Sequence, residues 1–200
     1  MIPGKVKTKG ARARMEMPAA VEETYEVLVE ELRYATTAWQ VFRACREALN
    51  DPPADGSQDY SFAGVIGHAV ESEVTLAVCR LLDDHKDAAT FKSILAQLPK
   101  RVREGVEATL EGVGKEHDRV KWARDKFLAH IDRSPRRTIA KDGFVPAELF
   151  ALNGVPKILD EVEQALGQIA TYYNCRRPDA GTSFALHDEV LAFFKRARDL

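Results

Sequence analysis

The sequence predicts an all-α protein, an helical bundle of long antiparallel helices. Three observations lead there. Apolar residues recur at three- and four-residue spacing through most of the 200 residues, no stretch alternates apolar and polar residues as a strand does, and Pro/Gly/Asp clusters fall between the periodic stretches. With no internal repeat and this length, one domain over residues 16–200 is expected, preceded by a basic arm over residues 1–15.

The elements follow in order. Residues 1–14 carry Lys5, Lys7, Lys9, Arg12 and Arg14 with no acidic residue, a composition that builds no core and reads as a solvated arm or as an arm touching phosphates. From Pro18 to Leu49, Val21, Tyr25, Leu28, Leu32, Ala35, Trp39, Phe42 and Leu49 form one apolar stripe, so a long helix is expected. Asn50 to Ser57 stops it, because a proline pair cannot continue a helix. A second helix is expected over Tyr60 to Leu82, where Gly64 and Gly67 would let another helix approach. Asp83 to Asp87 reads as a turn, and Thr90 to Leu98 as a short helix. Pro99 suits the first turn of the next helix, which runs to about Ala129 unless Gly112 and Gly114 break it. Ile131 to Pro146 reads as a loop. Helices over Val155 to Cys175 and Leu186 to Arg198 complete the bundle.

Composition narrows function. Apolar residues make up 45% and charged residues 30%, the balance of a globular chain with a sizeable core. A net charge of -2 gives no global basic signature, so any nucleic-acid site must come from a local patch. No apolar run approaches the ~20 residues of a membrane span, and the N-terminus lacks a signal peptide's apolar stretch, so a cytoplasmic protein is expected. Cys45, Cys79 and Cys175 are widely spaced and odd in number, which suits reduced thiols on buried helix faces. Phosphate-binding, dinucleotide-binding, nucleophile-elbow and zinc-helix motifs are absent, so neither a cofactor nor a metal is expected. Asp83-Asp84-His85 reads as a solvated turn, His68 and His117 as structural histidines, and His187 as a surface residue.

One segment concentrates chemistry: Arg124-Asp125-Lys126-Phe127-Leu128-Ala129-His130, followed by Arg133, Arg136, Arg137 and Lys141. Taken as charges alone, it caps a helix and solvates a loop, with His130 favourably placed at a helix C-terminus. The segment also resembles the Arg/His motif of the HEPN superfamily, in the form used by its abortive-infection U-type subgroup. Ala77–Asp83 and Thr90–Leu95 are similar to that subgroup's helix pair, and the resemblance spans about Tyr25 to Cys175.

The resemblance implies an all-α fold, a homodimer and a metal-independent endoribonuclease of a phage-defence or toxin–antitoxin system. It makes Arg124 and His130 the catalytic pair with Asp125 as polar neighbour. Lys126, Arg133, Arg136 and Arg137 become candidates for RNA binding, and an antitoxin becomes a possible partner. The chemistry is consistent with those residue types. Metal-free RNA cleavage needs a proton taken from the 2′-OH and one given to the 5′-oxygen, and an imidazole with pKa near about 6.5 can do either. A guanidinium is a permanent cation whose donor fork matches phosphate oxygens. Asp132 stands where related toxins controlled by modification carry a tyrosine, which argues against that mode of control.

On an ideal helix Arg124 and His130 lie about 9 Å apart along the axis and about 120° around it. They converge only if Arg124 reaches, if the helix distorts, or if a second subunit supplies the matching pair across a two-fold axis. Two other readings stay open: a catalytically inactive helical dimer that binds RNA, nucleotide or protein, and a plain interaction protein. A buried salt bridge from Arg124 to a core carboxylate would favour the last.

Overall fold

In the computed structural model the described residues are 16–49, 62–83, 89–125, 151–178 and 184–198. They form seven α-helices and one 3-10 turn, with no strand among them. We number the helices α1 (Ala19–Leu49), α2 (Phe62–Leu82), α3 (Phe91–Leu95), α4 (Lys100–Glu111), α5 (Gly114–Ala123), α6 (Val155–Tyr173) and α7 (Phe184–Arg198). The 3-10 turn, Ala151–Gly154, leads directly into α6. The all-α expectation is met.

The 31-residue α1 is the spine. Its apolar stripe is buried as its spacing requires: Val21, Tyr25, Leu28, Leu32, Ala35 and Phe42 all face the core. Antiparallel α2 lies along it, since Tyr34 donates to Glu73 at 2.8 Å while Arg80, further along α2, reaches back to Glu31 at 2.7 Å. Gly67 is buried against Cys45, but a Cβ there would sit 3.5 Å from the Cys45 Cβ, an ordinary contact. The close approach therefore does not depend on glycine at this position.

Helices α4 and α6 also run antiparallel. Gln168 donates to Thr109 at 2.8 Å, and Lys157 donates to the Gly112 carbonyl at 2.6 Å. Helix α6 supplies the most regular inner face, burying Ile158, Leu159, Val162, Leu166 and Ile169. These meet α1, α2, α3 and α4 in one main core. A smaller cluster around Cys45 and Phe194, with Val41, Ile66 and Val190, seats α7 on α1.

Several boundaries differ from expectation. The helix after Thr90 is short, spanning Phe91–Leu95, and is opened by a capping box in which Thr90 and Ser93 satisfy each other's backbone N–H groups. The long segment after Pro99 does break at Gly112-Val113-Gly114. Val113 at the bend is 1% exposed, so the break drives an apolar anchor into the core. His187 is buried rather than superficial. It lies on the side of α7 facing α1, with Nε2 3.2 Å from Glu47 and Nδ1 3.1 Å from Asp188. Cys45 and Cys79 are buried as expected, whereas Cys175, just past the end of α6, is exposed. The basic arm of residues 1–15 and the loop from Ile131 to Pro146 lie outside the described residues. No helix among the described residues is long and apolar enough to cross a membrane.

Candidate functional site

Helix α5 packs across the C-terminal end of α2. Val113, His117, Val120 and Arg124 recur at three- and four-residue spacing and share one face of α5. Val113 and Val120 enter the core, which fixes the rotation of the helix and turns His117 and Arg124 toward α2. Opposite them, Cys79 and Asp83 sit one turn apart at the end of α2.

Asp83 is the centre of the arrangement. Its side chain is only 10% exposed, and its Oδ2 accepts from Arg124 Nη1. The other oxygen, Oδ1, lies 3.3 Å from His117 Nε2. That is ion-pair distance without hydrogen-bond alignment: both atoms are buried and neither makes a hydrogen bond. The sequence reading of Asp83 as part of a solvated turn is thereby corrected. Its charge is compensated by Arg124, which is how a carboxylate becomes tolerable below the surface. His117, read from sequence as merely structural, also belongs to this cluster.

Arg124 is held from two sides. Its Nε donates to Asp125 Oδ1 at 2.9 Å, and Nη2 lies 2.9 Å from the same oxygen. These two contacts to one oxygen brace the guanidinium from the solvent side, where the Asp125 side chain is 56% exposed. Burial disfavours the charge on Arg124, but the bonds to Asp125 and Asp83 outweigh it and hold the pKa above the ordinary arginine value. Two of the five guanidinium N–H donors are committed to these hydrogen bonds, and the side chain keeps 24% exposure. Burial lowers the pKa of His117 from 6.5 against the opposing pull of Asp83, so the ring is neutral at pH 7. The Cys79 thiol is pushed up to about 11, first by burial and then by the Asp83 charge. It is therefore an unreactive thiol in this setting.

Arg124 ends α5 still in helical geometry, with φ -54° and ψ -52° and its backbone N–H donating to the Val120 and Lys121 carbonyls, and π-type character begins at Arg124 and Asp125. Lys126, His130, Arg133, Arg136 and Arg137 lie outside the described residues. The structure thus places Arg124 and Asp125 together and adds Asp83 and His117. The signal that could have found His117 is its seven-residue spacing from Arg124, two turns of one helix face.

Next to this cluster α5 exposes Lys115, Arg119 and Lys121. Lys121, one turn before Arg124, adds positive charge at its edge. At the other end of α5, Glu116 is bound by Lys157 of α6 at 3.2 Å.

Among curated proteins and among solved structures, nothing matches the chain. The family model described as AbiU2, of the HEPN class, matches residues 18–175, from the first turn of α1 to just past α6. Asp83, His117, Arg124 and Asp125 all fall within that span, on the all-α frame that the resemblance implied. The chain belongs to the AbiU2 family of the HEPN superfamily.

Proposed function

We propose that the protein is a metal-independent endoribonuclease of a phage-defence or toxin–antitoxin type system, acting as a homodimer. The observation that carries this reading is the held guanidinium of Arg124. Asp83 and Asp125 fix its orientation, and a partly exposed edge remains for a phosphate. A cation fixed before the substrate arrives needs little reorganisation as negative charge develops on the attacked phosphorus oxygens. In this reading His130 takes the proton of the ribose 2′-OH, or gives one to the leaving 5′-oxygen. The products end in a 2′,3′-cyclic phosphate or its hydrolysed form, and the need for a 2′-OH restricts the substrate to RNA. Two Arg124/His130 pairs meeting across a two-fold axis would form one composite cleft. Lys126, Arg133, Arg136 and Arg137, with Lys121, would supply the local positive field that the net charge of -2 does not. A toxic activity of this kind calls for an antitoxin partner.

A second reading has an observation of its own. Arg124 pairs with the buried Asp83, which is what a structural arginine does. On that reading the protein is a plain interaction protein in which Arg124 is structural, and the Asp83–Arg124 pair locks α5 onto α2.

The test compares wild type, His130→Ala and Arg124→Lys for RNA cleavage in EDTA and for growth arrest on expression. The lysine variant keeps the charge facing Asp83 while losing the fork. Catalysis predicts that His130→Ala lowers cleavage by about 10²–10⁴-fold in a folded protein and abolishes growth arrest. Cleavage unchanged in both variants would sink the catalytic assignment. Full activity in a strictly monomeric protein would sink the composite cleft.

A further inference from the structure

Asp83 Oδ1 and His117 Nε2 present an electrostatic puzzle. The carboxylate oxygen carries lone pairs only, and it is buried with its side chain 10% exposed. The ring nitrogen facing it at 3.3 Å is buried too, and neither donates to nor accepts from the other. An Nε2–H proton of the neutral ring could lie between them, but the poor alignment leaves both atoms incompletely satisfied, and a cation held by both is the alternative to that proton. The Cys79 sulfur, one turn before Asp83 on α2, completes the set: the three ligand atoms all lie within 4.8 Å of one another.

We infer that Cys79, Asp83 and His117 form a binding site for a zinc-class divalent cation. Thiolate sulfur, imidazole nitrogen and carboxylate oxygen are the donors that such an ion takes in tetrahedral geometry. Metal–ligand bonds of about 2.0–2.3 Å put tetrahedral ligands about 3.3–3.8 Å apart. The Asp83–His117 pair, at 3.3 Å, is already at that spacing, and the sulfur, within 4.8 Å of both, needs to close by at most about 1 Å. Three protein ligands leave a fourth position for water. The charges also balance. On binding, the Cys79 S–H bond breaks, its proton leaves to solvent and a sulfur–metal bond forms. The ion's two positive charges then meet the thiolate and Asp83, while Asp125 compensates Arg124. Arg124 stays on the second oxygen of Asp83, an outer contact of the kind that orients a ligating carboxylate. The ion takes no part in the cleavage proposed above, and the site stands whether or not that reading holds.

The experiment is a cobalt(II) titration of the full-length protein after dialysis against EDTA, read by absorption. Occupancy predicts visible bands of a tetrahedral ion together with a near-ultraviolet thiolate-to-cobalt band, both bleached by zinc. Cys79→Ser removes the near-ultraviolet band, and Cys175→Ser leaves it intact. Should Cys79→Ser fail to fold, His117→Gln decides, because that side chain is 16% exposed rather than fully buried and its loss weakens binding by at least about tenfold. A folded wild type without these bands overturns the site. So do bands that persist at the same cobalt concentration in His117→Gln.

Discussion

Asn174 ends α6 with φ 54° and ψ 37°, in the left-handed region, as the residue past a helix end often is. The turn lets Cys175 donate back to the Ala170 carbonyl at 2.9 Å and brings the Arg176 carbonyl to the Tyr25 hydroxyl, which donates to it at 3.2 Å. Asparagine tolerates that backbone and a β-branched residue does not. Asn174→Gly should therefore melt at or slightly above wild type, whereas Asn174→Val should lose about 1–2 kcal/mol, measured by thermal or urea unfolding. His117 gives a prediction in pH. Burial lowers its folded pKa below 6.5, so between the two pKa values the unfolded chain binds more protons than the folded one. Its contribution to stability is therefore fully present above 6.5 and is lost as pH falls toward the folded pKa. Urea midpoints measured from about pH 7.5 to about pH 5 should fall more steeply for wild type than for His117→Gln. Equal slopes would show that the ring does not titrate differently on folding. Asp83 was not legible as a site residue, and His117 was so only through its spacing from Arg124, because their meeting depends on how α5 rolls against α2. No local pattern around residue 83 encodes that contact.

Elements were read more successfully than residues, for a physical reason. The stripes of α1 and α6 repeat at helical period over several turns, and each buried position supports the same rotation about the axis. Short elements lack that redundancy. Helix α3 is defined by the Thr90–Ser93 capping box more than by its apolar residues, and the 3-10 turn Ala151–Gly154 carries no periodic signal. That turn nevertheless sets a constraint on α5. A Cβ on Gly154 would stand 2.6 Å from Glu116 Cγ and 2.7 Å from its Cβ, so glycine there allows the turn to touch α5. The clashing atoms lie near the backbone and cannot swing aside. Gly154→Ala should therefore cost about 1–3 kcal/mol in chemical denaturation, and Glu116→Ala in the same chain should recover part of it. A neutral Gly154→Ala would mean that the turn and α5 shift apart freely.

At the scale of the whole molecule, the family and the all-α frame were legible because they spread over residues 18–175, while the cluster joins segments more than thirty positions apart along the chain. Helix α5 reaches that cluster with a modest apolar hold. Within its span Val120 is the buried residue, with Val113 at its N-terminal edge, whereas α6 buries nine. A buried valine contributes about 1.5–3 kcal/mol, so α5 can part from the bundle at a free energy below that of global unfolding. Backbone amides of α5 should then exchange with deuterium faster than those around Leu166 and Ile169 in α6, as measured by mass spectrometry of peptides. Equal protection in both would show that α5 opens only with the whole fold. The break at Gly112-Val113-Gly114 thus makes the Asp83–Arg124 pair a transiently dissociable contact. Its lifetime is set by the opening of one ten-residue helix, so a partner able to capture α5 in the open state would hold His117 and Arg124 away from Asp83.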